Sequence, residues 1–209
     1  MAIRPIIEVP DKRLKTVSQD IAAVTDETRQ LMDDMLETMY AAEGIGLAAI
    51  QVGVAERVIV MDLSQRDRSE DADLEDDAGD PNGTDVNDGS DAVSDAQACD
   101  TQIAETGPRY FVNPKIIWSS DETRNYQEGC LSVPGFYDDV ERPAQCRIAY
   151  LDYDGEPQEL ACDDLLATCI QHEIDHLNGI VFLDHLSRLK RQIVLKKITK
   201  AERDTVRAE

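Results

Sequence analysis

The sequence predicts an α+β fold of small, mostly antiparallel sheets with a few amphipathic helices. Three observations carry that reading. The runs "AQCRIAYLDY" and "PQELACD" flank Asp154-Gly155, a dipeptide that turns one antiparallel strand into the next. "DETRQLMDDMLETMYAAE" (26–43) sets Leu31, Met35, Leu36, Met39 and Tyr40 at helical spacing, giving one apolar face. "LLATCIQHEIDHL" follows Asp163 and Asp164 and stops near Asn178-Gly179, so it has a capping carboxylate at its start and a glycine at its end.

The remaining elements follow in chain order. Gly44 closes the first helix, and "ERVIVMDL" (56–63) reads as a short buried strand. "RYFVNPKIIW" (109–118) is strand-like, with Pro114 marking an edge or a bulge. "HLSRLKRQIVLKKITKAERD" reads as an exposed amphipathic C-terminal helix from Ser187, the one basic stretch of the chain. Between the first two strands lies a segment of a different kind. From Arg66 to Asp100 there are 13 acidic residues against two arginines. Such a composition buries too little to offset its ordering entropy. It is read as a disordered acidic insertion at about 65–107 in a single domain spanning 1–209, because both flanks look like strands of one sheet.

The bulk numbers exclude several classes. A net charge of −22 argues against general affinity for nucleic acid or anionic membrane. No run of about 18 apolar residues exists to span a bilayer, and "MAIRPIIEVPDKRLK" lacks a signal peptide's apolar stretch. Five irregularly spaced cysteines do not form a disulfide framework. A reducing, cytoplasmic compartment is expected.

The chemistry concentrates in "QHEIDH" (171–176). On a helix His172 and His176 lie one turn apart on one face, about 6 Å along the axis. Their imidazoles can converge on one ion, with Glu173 beside them to act on water. Three fixed letters also arise by chance on polar helices, so a third ligand decides the matter. The G-x-x-H continuation fails, because Phe182 stands where the histidine belongs; a downstream glutamate does not come until Glu202; and His185 fits neither scheme. Among the cysteines, Cys169 shares the helix stripe, but 169, 172 and 176 span about 10 Å of axis, too far for bonds of about 2.0–2.3 Å. Cys146 and Cys162 sit in strand runs and Cys99 in the insertion. Cys130, in "EGCLS", stands out. A Cys-His-His set leaves a fourth position open, the arrangement of a catalytic site.

Three stretches, "GIGLAAIQ" (44–51), "EGCLS" (128–132) and "QHEIDH" (171–176), together resemble the three signature motifs of the peptide deformylases, in the family's order. The resemblance implies sheets packed around a central helix carrying H-E-x-x-H, with a C-terminal helix. It implies removal of the N-formyl group from the initiator formyl-methionine of nascent polypeptides, with release of formate. Cys130, His172 and His176 would ligate one divalent metal ion, Fe(II) natively, with Zn, Ni or Co able to replace it; ligand softness alone points as readily to zinc. Water in the open position would attack the formyl carbon while Glu173 takes its proton and returns it to the departing amine. The Gln51 side-chain amide and the Leu131 backbone N–H would hold the developing oxyanion. Ile45, Gly46 and Gly129 would line the substrate, Cys169 and Leu131 the methionine pocket. Glu128 and Arg142 would form a supporting ion pair.

The insertion departs from the family's usual shorter connection but leaves every motif intact. Tyr137 stands where many members carry a polar or basic substrate-contacting residue. The basic C-terminal helix, with Arg188, Lys190, Arg191, Lys196, Lys197, Lys200 and Arg203, fits docking on the ribosome, as the resemblance implies, or a solvated helix face. A monomer is expected. Two other readings compete: a metallopeptidase, which the missing downstream ligand disfavours, and an interaction module without catalysis, which the retained Cys130, Glu173 and Gln51 disfavour.

Overall fold

The computed structural model describes residues 2–64 and 107–206, with side chains described through residue 200. The expected disordered insertion lies outside the described residues. Within them, five strands form one antiparallel sheet in the order β1-β2-β3-β6-β7, and β4 and β5 form a second, two-stranded sheet. The strands are β1 (Gly46–Ala48), β2 (Val58–Met61), β3 (Arg109–Ser119), β4 (Thr123–Gly129), β5 (Tyr137–Pro143), β6 (Cys146–Leu151) and β7 (Pro157–Cys162). The helices are α1 (Asp26–Ala41), α2 (Asp164–Leu177) and α3 (Arg188–Val206).

Strand β2 explains the layering. All four of its residues, "VIVM", are buried, because helices cover both faces of the sheet. Val58 and Val60 join Leu31, Met32, Met35 and Met39 of α1 in one core. Ile59 and Met61 point the other way, to Ala167, Ile170, Ile174 and Leu177 of α2. Successive side chains alternate across a strand, so one short run feeds both cores. Each fully buried side chain of this size contributes about 1.5–3 kcal/mol.

Helix α1 is capped as its sequence invites: Thr25 and Thr28 exchange side-chain-to-backbone hydrogen bonds. It ends at Ala41, and Glu43, ahead of the expected Gly44, takes the left-handed conformation (φ 54°). Pro114 marks a bulge in an interior strand: the β3–β6 register shifts between Val112 and Lys115, with Asn113 at φ 53°. Asn113 is held there by Ile21, whose N–H donates to Oδ1 and whose carbonyl accepts from Nδ2, both at 2.8 Å.

The turn at Asp154-Gly155 joins β6 to β7 as expected, with Leu151 opposite Pro157. Helix α2 stops at Asn178, and Gly179 takes φ 73° where a Cβ would stand 2.6 Å from the Lys15 carbonyl oxygen. Ser187 opens α3, accepting from the Lys190 N–H through its hydroxyl at 3.4 Å. A third core, around Val9, Leu14, Val140 and Phe182, seats the start of α3 through Leu186, Val194 and Leu195.

Candidate metal centre

Helix α2 lies between the two sheets and is buried almost throughout its last three turns. It can carry polar residues into the interior because their partners arrive with them. His172 is 7% exposed and His176 fully buried, and their rings meet edge to face with centroids 4.9 Å apart. Cys130 comes from the loop between β4 and β5. Its Sγ lies 3.2 Å from His176 Nε2, and donor atoms of Cys130, His172 and His176 all fall within 4.8 Å of one another. Among the described residues this is the one cluster of its kind.

Glu128, at the end of β4, accepts a hydrogen bond from His172 Nδ1 at 2.8 Å, leaving Nε2 free to face the cluster. Both Glu128 oxygens are gripped by Arg142 of β5, at 2.5 Å and 3.0 Å. The pair is almost fully buried. Burial alone raises the Glu128 carboxyl, but the hydrogen bonds from His172 and Arg142 outweigh it and hold Glu128 at about 2. Arg142 also donates to Asp175 at 2.8 Å, and Asp175 meets His185 Nε2 at 2.7 Å. The sequence left His185 outside any ligand scheme, and it forms the solvent-side end of this polar chain.

Glu173 faces Gly46 of β1. It is 5% exposed, and its Oε2 has no hydrogen-bond partner among the described residues. Burial raises its carboxyl to about 7. Gly46 of β1 presses on this carboxylate: a Cβ at position 46 would stand 2.6 Å from Glu173 Oε1. Gln51 is fixed by its own turn, Oε1 accepting from the Ala48 N–H at 2.8 Å. Its Nε2 donates to Ser132 Oγ at 3.1 Å and lies 3.7 Å from Cys130 Sγ.

These groups open on a cavity of about 460 Å³. Gln51, Cys130, His172 and Glu173 form its floor, with His176 enclosed behind them. Ile45, Gly46, Gly129, Leu131 and Cys169 form its walls. Leu131 lies against Gly44, and the Tyr137 ring lies over Gly129, its partner in the β4–β5 ladder. The sequence reading passed over three contributors: Ser132, Asp175 and, at the rim, Glu43. Asp175 carried a signal, since it stands three residues after His172, inside the H-E-x-x-H run and next to its second histidine.

The donor set suits a cation. His176 is held well below the usual imidazole value by burial and by the neighbouring His172, so it is neutral and able to ligate. Burial also opposes charge on His172, yet Cys130 and Glu128 favour a positive charge there strongly enough to raise it well above its ordinary value. A buried pocket that favours positive charge, holds a thiol and two imidazoles, and keeps an unpaired carboxylate oxygen fits a thiophilic divalent ion.

Fold and site together define a metal-dependent hydrolase of the H-E-x-x-H kind. Residues 3–192 match the family model of polypeptide deformylase. The chain belongs to that family. It is 51% identical over 200 residues to the peptide deformylase of Phenylobacterium zucineum, a match covering 96% of this chain and 97% of that one. The crystal structure of peptide deformylase from Ehrlichia chaffeensis superposes with a TM-score of 0.79 at 39% identity, covering 98% of this chain and 99% of that one. The same enzyme in complex with actinonin superposes at 0.76, also at 39% identity, covering 97% and 99%.

Proposed function

We infer that this chain is a metal-dependent hydrolase that removes the N-formyl group from the initiator methionine of nascent polypeptides, releasing formate. The observation that carries the mechanism is the convergence of three donor atoms within 4.8 Å beside the unpaired Oε2 of Glu173. Cys130, His172 and His176 hold one divalent ion, Fe(II) in the cell by the family likeness. Bound there, the ion supplies Lewis-acid polarisation and acidifies water.

The protein's own groups do the rest. Glu173, buried and close to neutrality in its affinity for a proton, accepts a proton from the attacking water and returns it to the amine as the C–N bond breaks. Gln51 Nε2, already turned toward Cys130 at 3.7 Å, donates to the oxygen of the tetrahedral carbon, and the Leu131 N–H adds a second donor. Ile45, Gly46 and Gly129 flank the peptide, whose extended backbone pairs with exposed strand edge. Cys169 and Leu131 receive the methionine side chain.

A role in processing nascent chains fits a cytoplasmic monomer whose basic α3 residues, Arg188, Lys190, Arg191, Lys196, Lys197 and Lys200, face ribosomal RNA. No helix of the described residues is long and apolar enough to cross a membrane. The test is formate release from a formyl-Met tripeptide by anaerobically prepared, Fe(II)-loaded protein beside Glu173→Gln. Release that disappears in the variant supports the reading. Folded, metal-loaded protein that releases no formate refutes it.

A further inference from the structure

Two cysteines that the active site does not use face each other across the main sheet. Cys146 opens β6 and Cys162 closes β7, and they are direct partners in the antiparallel ladder. Directly opposed residues on such strands have Cα atoms about 4.5–5.5 Å apart, inside the range a disulfide spans without backbone movement. Both side chains turn into the same core, beside Ala167, Cys169 and Ile170 of α2. They are 1% and 2% exposed and both are free thiols. The Cys162 thiol donates to the Leu160 carbonyl at 3.9 Å, and the closeness of the two thiols lowers Cys146 and raises Cys162 relative to an ordinary thiol.

We propose that Cys146 and Cys162 form a redox-active pair, which a peroxide closes to a cross-strand disulfide and a small cellular thiol reopens. One sulfur, as thiolate, attacks the peroxide O–O bond, giving a sulfenic acid and water. The second thiol then displaces that hydroxyl as water and the S–S bond forms. Two thiols lose two electrons and two protons, and the peroxide becomes two waters. Two equivalents of the reducing thiol reverse the step and leave as their own disulfide.

Access comes from the position of the pair in the sheet. β7 is an edge strand and Cys162 its last residue, so local opening at this strand end gives a peroxide a route to the pair. Cys162 also stands two residues before α2 begins at Asp164. The closed form therefore ties the entry of the ligand-bearing helix to β6.

The experiment treats metal-loaded protein with hydrogen peroxide, blocks remaining thiols by alkylation and digests without reduction. The expected product is a cross-linked peptide holding Cys146 and Cys162, lighter by two hydrogens and lost on treatment with glutathione. The thiol count in denaturant falls by two from the five of the reduced chain, and Tm rises by several degrees. Cys146→Ala and Cys162→Ala each abolish the two-thiol loss. Because these buried changes can loosen the core, wild-type protein is also equilibrated with oxidised and reduced glutathione, where the same pairing should dominate. Cross-links scattered over other cysteines overturn the proposal. So does oxidation of Cys146 or Cys162 to sulfinic acid with no cross-link formed.

Discussion

The Glu128 carboxylate accepts from His172 Nδ1 at 2.8 Å, so the ring's direction is set from a different sheet than the helix that carries it. The orientation of one ligand thus depends on the β4–β5 hairpin as much as on α2. Glu128→Gln keeps the shape but weakens the grip. Metal affinity should fall about 10–100-fold, measured by competition with a chromogenic chelator. Arg142→Ala does more, because it strands a buried carboxylate. It should cost about 3–5 kcal/mol of stability, measured by urea unfolding of the metal-loaded protein.

Glu173→Gln should lower kcat about 10²–10⁴-fold, the usual worth of a positioned proton acceptor, with KM and metal content unchanged. The direction of the pH effect follows from the role. The base works deprotonated, so kcat/KM falls as pH drops through its pKa. Burial puts that value at about 7, and a bound cation draws it lower by favouring the carboxylate. The acid limb should therefore lie at or below pH 7 and be absent from the residual activity of Glu173→Gln.

Gly46→Ala tests how closely β1 backs the carboxylate proposed as the base. The added methyl would meet Glu173 Oε1, Cδ and Cγ at 2.6, 3.1 and 3.2 Å, so the Glu173 side chain must shift. Overpacking of this kind costs about 1–3 kcal/mol. It should also displace Glu173, lowering kcat more than KM while metal content stays at one equivalent per chain.

Far from the site, Asp34 ties the N-terminal segment to α1. Burial raises its carboxyl, but the Ala2 N–H, Gln30 and Arg4 together outweigh burial and lower it. A carboxyl depressed in the fold stabilises above its unfolded value, about 3.9, and that stability drains as pH falls through the folded value. The gap in Tm between wild type and Asp34→Asn should be full at pH 6 and close as the pH drops below about 4.

The parts legible in the sequence were those in which local pattern and tertiary role agree. β2 reads as an apolar run because both its faces are covered, and α2 carries its histidines and its stop at Asn178-Gly179 in one stretch. The expected carboxylate cap is not made, since Asp163 stands at the N-cap without a side-chain hydrogen bond and Asp164 takes φ 44°. β4 and β5 escaped notice for the opposite reason. Their buried positions hold Glu128, Val140 and Arg142, so two of the three inward residues are charged and no apolar alternation shows. Charges that read as surface residues are there because they answer one another and His172. Position 43 was missed because nothing local marks a glutamate for a left-handed turn. Ile45, Gly129 and Cys169, which the family resemblance assigns to the substrate, line the cavity, whereas Ser132 becomes visible only through Gln51.

The pairing of Met61 with Arg109 sets the end of β2 and the start of β3 side by side at one tip of the sheet. Closing a loop costs only about 0.6 kcal/mol more for each doubling of its length. This tip is therefore a port at which chain can be added or withdrawn with little effect on the rest of the molecule. A shortened protein in which a tight turn joins Ser64 to Gly107 should fold, bind metal and release formate as the full chain does. By the same logic, an unrelated domain spliced in there would ride on a working enzyme.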